Sequence, residues 1–170
     1  MSIAKVKGAT HGSEKIDRQK FLDINQEDTL FIAIGNSARS DDGLGWAFLD
    51  AIKEMKNFKG KTAYGYQLQV EDAERLSNFP KVVFIDAYAG EDDISFEWEK
   101  TEPVNDFTFT THALTPGAVL YLCQDLYEHH PQAYTLKIRG MDWELKIGMS
   151  EYAIQNLNEA MTFFSQMIQE

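Results

Sequence analysis

Two short stretches of unbroken apolar sequence, LFIAIG at 30–35 and VVFID at 82–86, limit what this chain can become. A short, continuous apolar run stopped by glycine or an acid is the pattern of a strand buried on both faces of a sheet. Between the two lies a helical period. From Gly43 onward Leu44, Ala47, Phe48, Ala51, Ile52 and Met55 fall on one stripe of a 3.6-residue repeat. Strand, loop and helix in that order open a βαβ unit.

The alternation continues to the end of the chain. TAYGYQLQV predicts a second strand, EDAERLSNF a short helix with acids in its favourable first turn, and SFEWEKTEPV a half-exposed strand at a sheet edge. FTFTTH and AYTLKIRGMDW predict further strands. TPGAVLYLCQDLYEHH opens with Thr115 as N-cap and Pro116 at the first helical position, with Val119, Leu122, Cys123, Leu126 and Tyr127 as its buried stripe. After Ser150 a terminal helix is expected to bury Ile154, Leu157, Met161, Phe164 and Ile168. The expected fold class is α/β, a three-layer sandwich in which a mostly parallel, twisted sheet of about five strands is covered by helices on both faces. Residues 1–29, polar and aperiodic, are expected to form an N-terminal extension, and residues 30–170 a single domain.

Composition narrows the function classes. The 170 residues carry a net charge of −11, and the 16 Lys and Arg form no basic stripe, so nucleic acid and anionic membrane are poor partners. Cys123 is the sole cysteine, which rules out an internal disulfide and fits a reducing compartment. The first 29 residues contain no apolar block long enough for a signal-peptide core, and no later run approaches a membrane span. A cytoplasmic protein is expected.

In open parallel sheets, functional groups gather beyond the carboxyl ends of the strands, where the loops converge. Asp42 follows the first strand, Asp86 ends the third, and His112 precedes the Pro116 helix. Two carboxylates and an imidazole can bind a borderline divalent metal while leaving positions for water or substrate. On the residues alone, SARSDDG reads more simply as a turn in which Asp41 or Asp42 caps the helix. Cys123 sits on an apolar stripe and reads as a buried structural thiol. His129 and His130, at a helix end, are expected to meet its last carbonyls, and Trp46 falls off its helix stripe, beside the loop.

The fuller spelling adds to this. GNSARSDDGLG, joined to VVFIDAYAG, THALTPGAVLYLCQDLY and IRGMDWELKIGMS, resembles the hydrogenase maturation protease family over about 30–161. Those endopeptidases remove a C-terminal tail from the large subunit of nickel–iron hydrogenases. The resemblance implies that Asp42, Asp86 and His112 are the catalytic and metal-contacting residues. It also implies that the nickel arrives in the hydrogenase large-subunit precursor, so no tightly bound cofactor of the protein's own is expected. Arg39 matches a position where the family often has arginine, and Gln67 begins a matching glutamine–leucine pair. With Gly35 and Asn36, they are expected to bind substrate. Where relatives often carry proline, leucine and glycine around the arginine, this chain has Ser37, Ala38 and Ser40, and Val70 replaces a frequent proline.

Two readings from other classes stand beside it. A phospho-receiver-like signalling domain also uses an acid pair and a strand-end aspartate, but there the pair directly ends the first strand, whereas here residues 35–40 intervene. A binding module could keep the protease fold without its activity.

Overall fold

The computed structural model describes residues 6–7, 18–90, 93–107 and 114–169. In chain order the elements are β1 (Val6–Lys7), α1 (Arg18–Ile24), β2 (Thr29–Ile34), a 3-10 turn (Ser40–Gly43), α2 (Leu44–Lys53), β3 (Lys61–Gly65), α3 (Glu71–Leu76), β4 (Lys81–Tyr88), β5 (Phe96–Lys100), α4 (Pro116–Tyr127), β6 (Gln132–Arg139) and α5 (Glu151–Met167). They form one six-stranded sheet of order β1-β5-β6-β4-β2-β3. Neighbours from β6 to β3 run parallel, while β5 lies antiparallel to β6 and β1 antiparallel to β5.

Alternation along the strands divides the core between two faces. Phe31, Ala33, Val83, Ile85, Leu136 and Ile138 pack with Phe48 and Leu49 of α2 and Ala153 and Phe164 of α5. Leu30, Ile32, Val82 and Phe84 pack instead with Ala73 and Leu76 of α3 and Val119 and Cys123 of α4. Both faces are therefore covered, which is why the strand sequences are unbroken apolar runs. The three-layer α/β sandwich expected from the sequence is the fold observed.

The details differ in four places. First, residues 18–29 belong to the fold rather than to an extension: Phe21 and Ile24 of α1 are buried in the core, and the Phe21 ring lies 4.7 Å from that of Trp98. Three apolar residues, Phe21, Leu22 and Ile24, in a seven-residue helix make too short a period to read from sequence. Second, the second strand stops at Gly65, so YQLQV is loop, and of FTFTTH residues 108–112 lie outside the described residues. Third, the buried face of α4 is Ala118, Val119, Leu120 and Cys123, leaving Leu126 and Tyr127 in solvent. Fourth, the α5 stripe runs through Ala153, Leu157, Ala160 and Phe164, which turns Ile154 outward. Among the described residues no helix is long and apolar enough to cross a membrane.

Candidate active site

The loop between β2 and α2 is shaped by its backbone. Gly35 adopts φ 144°, and a Cβ there would fall 2.1 Å from the Asp42 carbonyl oxygen, so only glycine fits. The Gly35 N–H donates to Gly65 O at 3.0 Å, which ties the loop to the end of β3. Asn36 then closes the turn: its N–H donates to Asp42 O (3.2 Å), its carbonyl accepts from Arg39 N–H (3.0 Å), and its Oδ1 accepts from Ala38 N–H (2.9 Å). Ser40 sits in the left-handed region at φ 50°, a conformation that costs a non-glycine residue roughly 1–2 kcal/mol. Its N–H is held by Lys146 O at 2.9 Å. Neither aspartate caps the following helix by its side chain, contrary to the simpler reading of SARSDDG.

The two adjacent carboxylates are used differently. Asp41 is buried, and its Oδ2 accepts the N–H groups of Met141 (2.8 Å) and Asp142 (2.9 Å), while both the N–H and the hydroxyl of Ser150 donate to the same carboxylate. Burial alone would raise its pKa, but these donors outweigh it and hold Asp41 below the ordinary carboxylate range. Gly140 permits this approach, since a Cβ there would lie 2.7 Å from Asp41 Cβ. Asp41 is thus a strut between the site loop and the segment that follows β6. With both oxygens engaged, it offers no receiver-like acid pair.

Asp42 is partly buried and near enough to Asp86, at the end of β4, for its charge to act there. Burial pushes its pKa up, against the Asn36 N–H and the Arg39 guanidinium, which favour the charged form. Asp86 is pushed further, to about 7, mainly by burial and in part by the negative charge of Asp42. The Ala87 N–H, donating to Asp86 Oδ1 at 2.8 Å, and the Lys137 ammonium pull the other way. Lys137 lies opposite Asp86 in the β4–β6 register, yet its Nζ is drawn 2.9 Å from Glu99 on β5. Two carboxylates thus crowd one place at the carboxyl end of the sheet, incompletely neutralised by neighbouring cations. Such a pair favours an incoming cation.

His112 lies outside the described residues, and among those described no group of three or more His, Cys, Asp and Glu forms a metal cluster. The nearest described part of its segment is Leu114, whose N–H donates to Leu68 O at 3.3 Å, beside the exposed Gln67. Asp86 shares the parity of Val82 and Phe84, which places it on the sheet face covered by α3 and α4. Arg39 is exposed, with Nη2 donating to Trp143 O at 3.4 Å.

The remaining candidates are structural. Cys123 is fully buried, and burial raises its thiol pKa. His129 Nε2–H donates to Phe79 O (2.6 Å) and His130 Nδ1 meets Gln124 Oε1 (3.1 Å), so neither bonds the last carbonyls of α4 as expected. Trp46 donates from Nε1 to Gly65 O at 3.1 Å and stacks on Tyr66, with ring centroids 5.5 Å apart. Sequence reasoning assigned no role to Ser150 beyond marking a helix start, and no local signal in MSEYA reveals its bonds to Asp41.

No protein-family model matches the sequence, and no curated protein matches it. Solved structures do. A [NiFe] hydrogenase maturation protease, HycI from Thermococcus kodakarensis KOD1, superposes with a TM-score of 0.66 at 16% identity, covering 89% of this chain and 99% of that one. The hydrogenase maturating endopeptidase HybD from E. coli gives 0.62 at 15% identity, with 79% and 88% covered. HybD from Thermococcus kodakarensis gives 0.57 at 20%, with 83% and 99% covered. The chain has the fold of the hydrogenase maturation proteases.

Proposed function

We propose that this protein is an endopeptidase that removes the C-terminal tail of a nickel-loaded nickel–iron hydrogenase large-subunit precursor. The observation that carries the reading is the Asp42–Asp86 pair: two partly buried carboxylates, each raised in pKa by burial and Asp86 also by the charge of Asp42, at the carboxyl ends of adjacent parallel strands. Its support is the likeness to solved structures whose names identify them as hydrogenase maturation proteases and endopeptidases.

The nickel is part of the substrate. Asp42, Asp86 and His112 contact it, and the positive charge it brings relieves the repulsion between the carboxylates. A precursor without nickel offers no such relief, so it is left uncut. The substrate's metal would supply Lewis-acid polarisation of the scissile carbonyl, and a carboxylate of this chain takes a proton from the attacking water and passes it to the departing amine as the C–N bond breaks. Arg39, Gln67, Gly35 and Asn36 line the approach of the tail. The protein works in the cytoplasm, without nucleic acid or membrane.

The test is incubation of the purified protein with nickel-loaded and nickel-free precursor, followed by mass spectrometry of the large subunit. Loss of a C-terminal peptide from the loaded form alone is expected. Binding without cleavage leaves a binding module on a protease fold, and equal cutting of both forms overturns the role of nickel.

A further inference from the structure

Residues 141–148 leave β6 without regular secondary structure, yet the segment is tied down along its length. The Asp41 carboxylate holds the Met141 and Asp142 N–H groups, the Asp41 N–H donates to Asp142 O (3.0 Å), and the Ser40 N–H to Lys146 O (2.9 Å). Lys146 Nζ closes the segment on itself through Asp142 Oδ2 at 2.6 Å. On this held frame Met141, Leu145 and Ile147 stand 64%, 76% and 90% exposed. Apolar side chains gain nothing in water, and a clustered, ordered set of them marks a surface that another molecule covers.

We infer that this segment is the docking surface for the polypeptide that brings the cation to Asp42 and Asp86. The occupant is an apolar, neutral-to-basic stretch of the precursor, an inference that rests on the function proposed above. Continuity with the site is the first argument. Arg39, Ser40 and Asp41, which hold the segment, immediately precede Asp42, so the segment and the candidate site are carried by one loop. Charge is the second. The segment sets Asp142 and Glu144 against Lys146 alone, and the whole chain carries −11, so a second copy would meet like charge with like.

The other flank matches. Along the sheet order β6-β4-β2-β3, the carboxylates of β4 and the β2 loop stand between this segment and Tyr66, which follows β3 and is 70% exposed on the Trp46 ring. Three strand spacings of ~4.8 Å make about 14 Å, the length of roughly four extended residues. The substrate therefore places apolar side chains on both sides of its cation. Because the frame is already ordered, little loop entropy is lost on docking.

The test uses the full-length chain with Leu145→Ser and Ile147→Ser combined, positions exposed enough to leave folding intact. Binding of nickel-loaded precursor, KM and kcat for tail removal, the melting temperature and the light-scattering mass of the free protein are compared with wild type. The expected result is a Kd and KM raised roughly 10-fold or more, with kcat, melting temperature and mass unchanged. Unchanged Kd and KM overturn the inference while leaving the peptidase reading standing. A lowered melting temperature, which shows the surface is covered by this chain itself, overturns it, as does a wild-type dimer that the variant disperses. Wild type that binds precursor through these side chains without cutting it keeps the docking surface and removes the peptidase reading. Wild type that neither binds nor cuts removes both.

Discussion

Asp41 accepts hydrogen bonds from both the N–H (2.7 Å) and the hydroxyl (2.8 Å) of Ser150, 109 residues further along the chain. Ser150 is also the N-cap of α5, where its Oγ accepts from Ala153 N–H at 3.1 Å. One carboxylate thereby joins the site loop, the segment after β6 and the start of the last helix. Asp41 is fully engaged by these bonds, while the charge of its neighbour Asp42 acts on Asp86.

Asp41→Asn is accordingly expected to destabilise the fold by about 3 kcal/mol, since an amide NH₂ would face donors and strand at least one of them in the interior. Urea unfolding measures this. The pH dependence has a definite sign. The folded pKa of Asp41 is depressed, so its contribution is present above the ordinary value of 3.8 and is lost as pH falls through the lower folded value. The gap between wild type and variant should therefore close in strong acid.

Asp42 should behave in the opposite manner. Its pKa is raised, so the charge is a cost to the fold, and Asp42→Asn should leave stability unchanged or improve it by up to about 1 kcal/mol. Tail removal from nickel-loaded precursor, followed as a mobility shift, should fall by orders of magnitude, because a charge and an oxygen ligand are gone. Asp42→Glu should retain much of the activity. Adjacent aspartates with opposite stability effects would separate strut from ligand in one experiment.

The strands and the βαβ order were legible because burial on both faces leaves an unbroken apolar run that few other structures require. The position of Asp86 was legible for the same reason, since a charge that ends such a run must lie at the sheet's carboxyl edge. The division of labour between Asp41 and Asp42 was not. It depends on donors at Met141, Asp142 and Ser150, and the residues that supply them carry backbone N–H groups like any others. Phe21 was missed because a seven-residue helix with Phe21, Leu22 and Ile24 as its only apolar residues is too short to show a period. Leu126 and Ile154 were misplaced because a stripe read from sequence does not reveal where a helix passes beyond the sheet or how it is rotated.

Asp86→Asn tests the buried charge directly. A folded pKa of about 7 against an ordinary 3.8 means that the native state binds the extra proton, so wild-type stability falls as pH rises between those values. The shift corresponds to an upper figure of roughly 4 kcal/mol. The variant, which keeps an acceptor for the Ala87 N–H, should be more stable than wild type at pH 8 by about 2 kcal/mol or more and nearly equal at pH 4. Thermal or urea melts across that range give the answer, and a difference independent of pH would mean that Asp86 does not titrate near neutrality.

The free protein should hold nickel poorly, and for a reason visible in the carboxylates. At pH 7 Asp86 is near half protonation, its Oδ1 already accepts from Ala87 N–H, and the Arg39 charge competes for Asp42. A lone ion must displace a proton and outcompete a guanidinium before it gains its ligands, whereas an ion held in a precursor brings its other contacts with it. Isothermal titration with Ni²⁺ alone should give a Kd weaker than about 0.1 mM, equivalent to less than ~5.5 kcal/mol. Binding should tighten from pH 6 to pH 8 as Asp86 loses its proton. Casein should survive prolonged incubation, and His112→Ala should abolish precursor processing while leaving the melting temperature where it was. Stoichiometric zinc or nickel retained through chelation, together with casein degradation, would instead mark a conventional metalloprotease with a resident ion, and wild-type processing by His112→Ala would take that histidine out of the site.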